Sequence, residues 1–407
     1  DGHSQDPFVN AREVVMKRAR YLTLALALCA TACATVPASR PVPPASRAEL
    51  LELRTALENA TLRTVVAEPP QVDIDAAASI PIPEHRSIRS ALAYFTTELK
   101  PDIQQSLTRS AQYKKFIDRV LAESKLPKAL AYLPVIESAY LQTLTSSAGA
   151  RGIWQFMPET AREYGLRVDW WIDQRADPDL STRAAAAYLK DLYSDFHDWP
   201  LALAAYNAGA RRIHRALEES HSSTFWDLLE LAAIPKETRG YVPTFFASLI
   251  IASDPATYGF RLSDAVDADV KRVEVEGPLS LRFIADAANL NAAVLRDLNP
   301  MLRRGVVPPG RAVIRVPARS AERVAAISKN DDPYVAVCTY TVRERDTLKR
   351  LAKAIGTKPD TILAMNGIHK LRHGESIYLP VRATELGNLL SGRRKARPGE
   401  HTLTGGM

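Results

Sequence analysis

Apolar positions recur with a helical period almost without a break from Ser87 to about Tyr258. The pattern predicts helices near 88–98, 103–107, 111–123, 127–141, 158–164, 182–196, 200–208, 211–219, 225–231 and 238–252, joined by short polar connections. Within this region Leu126, Leu130, Leu133, Glu137 and Tyr140 fall on one stripe of an amphipathic helix. A carboxylate is thus carried on a core-facing stripe, where desolvation disfavours its charged form and raises its pKa. Such a group can hold a proton near neutrality and give it up. The same spacing also suits a glutamate at the edge of the stripe, paired with an arginine. Pro127 fits a first helical turn, where its missing N–H is no loss. Pro134 either kinks the helix just before Glu137, because its ring clashes with the carbonyl of residue 130, or marks a junction between two helices.

Past Arg261 the pattern changes to short strand-like pieces separated by turn residues. Adding 67 to the numbers of Val275, Ala285, Leu295 and Asn299 gives Val342, Ala352, Ile362 and Asn366, an internal repeat without gaps across its middle. Each copy reads strand, two short helices, strand. The chain is therefore expected to be multidomain and mainly α. An all-helical domain over 87–260 is followed by two small βααβ modules over 268–318 and 338–382.

The ends add a different layer. Residues 1–15 carry no recognisable signal and read as an upstream extension. From Met16, the basic Lys17, Arg18 and Arg20 precede an apolar run too short for an ordinary membrane span, the pattern of a secretory signal peptide over 16–33. Ala30-Thr31-Ala32-Cys33 resembles a bacterial lipobox, although Ala30 stands where Leu is usual. Lipidation of Cys33 would anchor the protein to a membrane, whereas simple cleavage of the signal would not. Residues 34–86 read as a Pro-rich tether with one short helix, and 383–407 as a disordered basic tail.

Charge and cysteine content narrow the classes further. Lys plus Arg number 53 against 46 Asp plus Glu, a net +7 spread thinly along the chain. No basic-and-aromatic interleaving or groove-reading motif points to nucleic acid. Outside the signal only Cys338 remains, expected to pack as a small hydrophobe in a strand, so no internal disulfide can form there. The eight His residues are scattered without ligand spacing, so no metal is expected; no other cofactor is expected either.

Four motifs carry the chemistry. Glu137-Ser138 is followed by Ser146-Ser147-Ala148-Gly149-Ala150-Arg151-Gly152-Ile153-Trp154-Gln155-Phe156-Met157, by Ala205-Tyr206-Asn207-Ala208-Gly209, and by Glu237-Thr238-Arg239-Gly240-Tyr241-Val242. This ordered set resembles the lytic transglycosylases with a lysozyme-like catalytic domain, most closely the membrane-bound type D enzymes that carry LysM modules. The second βααβ copy resembles a LysM module, with Arg345-Asp346 where Gly-Asp is usual; the first is a more degenerate relative.

The resemblance implies an enzyme that cleaves the bond between N-acetylmuramic acid and N-acetylglucosamine without water, leaving a 1,6-anhydromuramyl end. Glu137 would be its catalytic residue, acid first and base second. Ser138 and Gln155 would hydrogen-bond the acid or the substrate's acetamido group, the alternative for Gln155 being a loop amide that bonds backbone, and Phe156, Met157, Tyr206, Asn207 and Tyr241 would complete substrate binding. Trp154 and Phe156 would either face sugar or cover the core. The expected partners are peptidoglycan glycan strands and, through the N-terminal anchor, a membrane. The expected place is the cell envelope, on the periplasmic side of the outer membrane, with the protein a monomer.

Two rivals stay open. A goose-type lysozyme shares the fold but uses an activated water, and a scaffold would bind glycan without cutting it. Hydrolytic glycosidases usually need a second carboxylate. Glu159, Glu163, Asp169 and Asp173 follow the Gln155 motif, but none sits on an apolar stripe, and Asp173, Arg175 and Asp177 read as a polar turn and cap network.

Overall fold

In the computed structural model, residues 80–263, 269–327, 332, 335–381, 385–386 and 390 are described. The upstream extension, the signal peptide with Cys33, the tether up to residue 79 and nearly all of the basic tail lie outside the described residues. In chain order the helical part comprises α1 (Arg86–Thr96), α2 (Lys100–Glu123), a 3₁₀ turn (Lys128–Tyr132), α3 (Leu133–Glu137), α4 (Pro158–Glu163), a second 3₁₀ turn (Gln174–Ala176), α5 (Pro178–Phe196), α6 (Trp199–Ala208), α7 (Ala210–Ser220), α8 (Phe225–Glu230) and α9 (Lys236–Ser253). No helix among the described residues is long and apolar enough to cross a membrane.

The chain divides into two compact units. The described part of the first is 80–98 with 195–260, and it is built around α9. That helix is apolar almost all round, with Val242, Phe245, Phe246, Leu249 and Ile251 buried, so it must be enclosed by its neighbours α1 and α6. Asp198 starts α6 by accepting a hydrogen bond from the Leu201 N–H, and Thr224 starts α8 by accepting from Asp227.

The second unit holds 99–194 and the described residues from 261 onward. Two helices expected at 103–107 and 111–123 are one, α2. Beyond Pro101 in its first turn nothing in the segment interrupts a helix, and Leu107, Ser110 and Ala111 are all buried.

The single helix expected over 127–141 is not formed. Residues 128–132 make a 3₁₀ turn and α3 begins afresh at Leu133, so Pro134 sits in a first turn, where it has no bond to lose. Ala139 and Tyr140 then take left-handed backbone angles, φ 50° and 59°, which end α3 directly after Glu137.

The two βααβ copies follow. The first comprises β1 (Val270–Ser280), α10 (Leu281–Ala288), α11 (Ala292–Leu298) and β2 (Val306–Pro317), closed by a short α12 (Ala321–Ala325); the second comprises β3 (Cys338–Thr341), α13 (Leu348–Ile355), α14 (Pro359–Asn366) and β4 (Ser376–Leu379). In each, first and last strands pair antiparallel, from Val270↔Pro317 to Ser280↔Val306 and from Cys338↔Leu379 to Thr341↔Ser376. Cys338 is buried in β3, as a small hydrophobe would be.

The repeat is physical as well as sequential. Asn299 donates to the Leu295 and Arg315 carbonyls at 2.8 and 2.7 Å and accepts from the Arg315 N–H at 2.7 Å. Asn366 does the same with Ile362 and Tyr378, at 2.8, 2.8 and 2.6 Å. One side-chain amide thus ties the second helix of each module to its last strand. In the second module Arg345 at the usual glycine position leaves the first turn intact, because Asp346 accepts from the Arg343 N–H at 2.8 Å and from the Tyr340 hydroxyl.

Candidate active site

The short α3 presents Glu137 as its last residue, half-buried, while Leu126, Leu130, Leu133 and Tyr140 of the same predicted stripe are buried. The burial pattern is the one the periodicity predicts, but the backbone carrying it is a 3₁₀ turn and an α turn in series. Next to the acid, Ser138 is fully enclosed, and its hydroxyl donates to the Ile153 carbonyl at 2.8 Å. The hydroxyl expected on the acid or on substrate is instead engaged with the backbone of the segment that carries Gln155.

The chain reversal after Glu137 is held from several sides. Arg109 on α2 donates through Nε to the Ala139 carbonyl at 2.6 Å, and burial lowers the pKa of that guanidinium. The Tyr140 hydroxyl donates to the Ala131 carbonyl, and its ring stacks on Tyr113, with centroids 5.8 Å apart and planes 8° from parallel. Burial raises the pKa of both phenols, that of Tyr113 to about 12. Both therefore stay neutral through the physiological range, which suits rings and hydroxyls enclosed in the core.

Gln155 lies at φ 48° in a tight loop, and its amide donates to the Gly152 and Leu144 carbonyls at 2.8 and 3.3 Å. The loop is clamped by Arg175, whose Nη1 donates to the Gly149 and Phe156 carbonyls at 2.7 and 2.9 Å. The other face of the same guanidinium makes a bidentate pair with Asp173, at 2.9 and 2.8 Å. Both partners are buried, so the pair holds only because its geometry is good and the Nη1 group finds two carbonyls. Gly152 completes the fit: a Cβ there would lie 1.8 Å from the Arg175 carbonyl oxygen, and its φ is 88°. The polar network read at Asp173, Arg175 and Asp177 is present, with Asp173 capping the second 3₁₀ turn and Asp177 accepting from the Asp179 and Leu180 N–H groups.

Of the other candidates in this unit, Trp154 and Phe156 are core residues. Trp154 is fully buried and donates to the Thr182 hydroxyl at 2.8 Å, while the Phe156 ring lies inside against Tyr188. Met157 is exposed. Tyr206, Asn207 and Tyr241 belong to the first unit. There Asn207, near the end of α6, accepts from the Thr238 hydroxyl at 2.9 Å, and Thr238 lies three residues before Tyr241 on α9. Tyr206 is half-buried and Tyr241 is buried. No group of three His, Cys, Asp or Glu residues suited to a metal occurs among the described residues.

Three family models match in the order the sequence suggested: Transglycosylase SLT domain over 116–229, the LysM-like domain of lytic transglycosylase MltD over 269–332, and LysM domain over 340–380. Membrane-bound lytic murein transglycosylase D of Escherichia coli is 30% identical over 319 residues, covering 73% of this chain and 70% of its own. The chain belongs to that family. Membrane-bound lytic murein transglycosylase F of Maricaulis maris is 34% identical over 155 residues, covering 35% of this chain and 28% of its own. Among solved structures, the lytic transglycosylase Slt of Pseudomonas aeruginosa is 28% identical, covering 38% of this chain and 25% of its own, with a TM-score of 0.31.

The transglycosylase is therefore an enzyme acting on peptidoglycan in the cell envelope, with a lysozyme-like helical domain followed by LysM-type modules. Around the site, the sequence does not single out Arg109, and it places Arg175 only in a polar turn and cap network, not as the clamp on the Gln155 loop. Their bonds run to backbone carbonyls far away in sequence, which leave no local pattern. The one available signal was the glycine within the Arg151-Gly152-Ile153-Trp154 run.

Proposed function

We propose that Glu137 is the catalytic acid and base of this transglycosylase and that the substrate supplies its own nucleophile. Glu137 gives its proton to the oxygen linking N-acetylmuramic acid to N-acetylglucosamine, and the C1–O bond breaks. The substrate's acetamido oxygen stabilises the positive charge developing at C1. The muramyl C6 hydroxyl then attacks C1 and returns its proton to the Glu137 carboxylate, so a 1,6-anhydro ring forms and no water is consumed. One group serves both steps only if its proton is exchangeable near the working pH.

The observation that carries this reading is the bond from Ser138 Oγ to the Ile153 carbonyl. It couples the element bearing the acid to the Gln155 loop, so the two expected catalytic elements are held in fixed register. Gln155 aligns the acetamido group, and Met157, Tyr206, Asn207 and Tyr241 contribute to sugar binding. Phe156, with its ring inside, supports the loop. The 338–382 module holds glycan near the acid. Cys33, acylated, keeps the enzyme on the outer membrane facing the periplasm, where it acts as a monomer.

The test is Glu137→Gln in the full chain. Turnover of murein is expected to fall by about a thousand-fold while sedimentation with murein is retained. Retained turnover would contradict the assignment, and unaltered cell-wall phenotypes with this variant would favour a binding scaffold.

A further inference from the structure

The segment between α4 and α5 does not end at the catalytic domain's surface. Trp171 and Ile172 are buried in one hydrophobic cluster with Leu302, Val306, Ile314 and Val316 of the first LysM-like module. Ile172 bridges Leu302 in antiparallel fashion, and the Arg303 N–H donates to the Trp171 carbonyl at 3.1 Å. Arg304 lies over the Trp170 ring, 3.4 Å from its centroid. A module that is merely tethered, free to search for glycan, would not share its core in this way.

The contacts converge on the turn that clamps the Gln155 loop. At one end of the turn the Asp173 N–H donates to the Met301 carbonyl at 2.8 Å. At the other end Arg315 donates to the Asp177 carboxylate at 2.5 Å. Between these two grips stands Arg175, which holds Gly149 and Phe156. Because Asp173, Arg175 and Asp177 are all buried, the turn has little freedom to relax if a grip is lost.

We infer that the first LysM-like module is a brace for the catalytic loop and that Arg315 is a positioning residue for the transglycosylase reaction. The inference rests on the proposed role of Gln155 in aligning substrate. A glycan-binding role alone would help only on insoluble murein. A brace is needed on every substrate, however small, because displacing a substrate-aligning group by about 1 Å costs up to about a hundred-fold in rate.

The test uses full-length Arg315→Leu, Arg315→Gln and Arg315→Lys with soluble, peptide-free glycan strands as substrate and a thermal melt to verify folding. For Arg315→Leu and Arg315→Gln, kcat is expected to fall about ten-fold or more, with KM and murein sedimentation within about two-fold of wild type. Arg315→Lys, which keeps a donor, should recover most of the loss. Hydrogen exchange over residues 149–156 should be faster in the Leu and Gln variants. A folded Arg315→Leu or Arg315→Gln with wild-type kcat on soluble glycan, a loss confined to insoluble murein, or unchanged exchange over 149–156 would overturn the inference. If Glu137→Gln is inactive while these variants are normal, only the brace fails. If Glu137→Gln is active, the reading of the acid fails and the exchange result still judges the brace.

Discussion

Arg109 Nε donates to the carbonyl of Ala139 at 2.6 Å, two residues beyond Glu137 and 30 residues away in sequence. That bond holds a backbone in which two consecutive non-glycine residues occupy the left-handed region, a conformation costing about 1–2 kcal/mol per residue. The acid's place at the end of α3 therefore depends on α2. Arg109→Met keeps the apolar stem and removes the donor. It is expected to destabilise the protein by about 1–3 kcal/mol, read by urea denaturation, and to lower kcat more than it raises KM. Wild-type stability and activity would show that the reversal holds itself.

Gly152 faces the Arg175 carbonyl with no room for a side chain. In Gly152→Ala the new methyl would have to displace backbone rather than a flexible side chain, and alanine would also have to adopt positive φ. A loss of about 3 kcal/mol or more is expected, with activity falling alongside it. A melting temperature equal to that of wild type would mean the clamp is looser than its distances indicate.

Helical periodicity found the correct buried face from Leu126 to Tyr140 and the wrong backbone. A 3₁₀ turn followed by an α turn presents nearly the same residues inward, so the spacing of Leu126, Leu130, Leu133 and Tyr140 does not separate it from one long helix. Pro134 carried the missing information, since it is comfortable only in a first turn. The repeat was legible because Asn299 and Asn366 each perform the same local task on adjacent elements. The brace was not. Trp170-Trp171-Ile172 falls in the connection between the helices expected at 158–164 and 182–196, and its neighbours lie some 130 residues later, at Leu302 to Arg304.

The asparagine tie gives a prediction for each module. Asn366→Ala leaves the Tyr378 N–H and the carbonyls of Ile362 and Tyr378 without their partner. A loss of about 2–3 kcal/mol in the stability of the second module is expected, visible as an early transition in denaturation. Asn299→Ala should act similarly on the first module and, since that module shares a core with Trp171 and Ile172, should also lower activity. An Asn299→Ala enzyme with a disrupted module and full activity on soluble glycan would argue against the shared core having any catalytic weight.

Alkaline pH should act on the second module through Cys338. Burial pushes its thiol from 9.0 up to about 11. The folded form thus holds the proton more tightly than the unfolded form, so stability is full below about pH 9 and is lost as pH rises through about 11. Cys338→Ala removes this titration. Its melting temperature is expected to start lower, because the buried sulfur is lost, and to vary less between pH 9 and 11 than that of wild type. An equal slope in both proteins would place the alkaline sensitivity elsewhere.

The most direct test of the proposed chemistry is the origin of the oxygen at the new chain end. Murein digested by the full-length enzyme in heavy-oxygen water should yield 1,6-anhydromuramyl ends by mass spectrometry, lighter by one water than reducing ends and free of the label. Reducing ends carrying heavy oxygen would show that water is the nucleophile, and the account built on Glu137 and the muramyl C6 hydroxyl would be wrong.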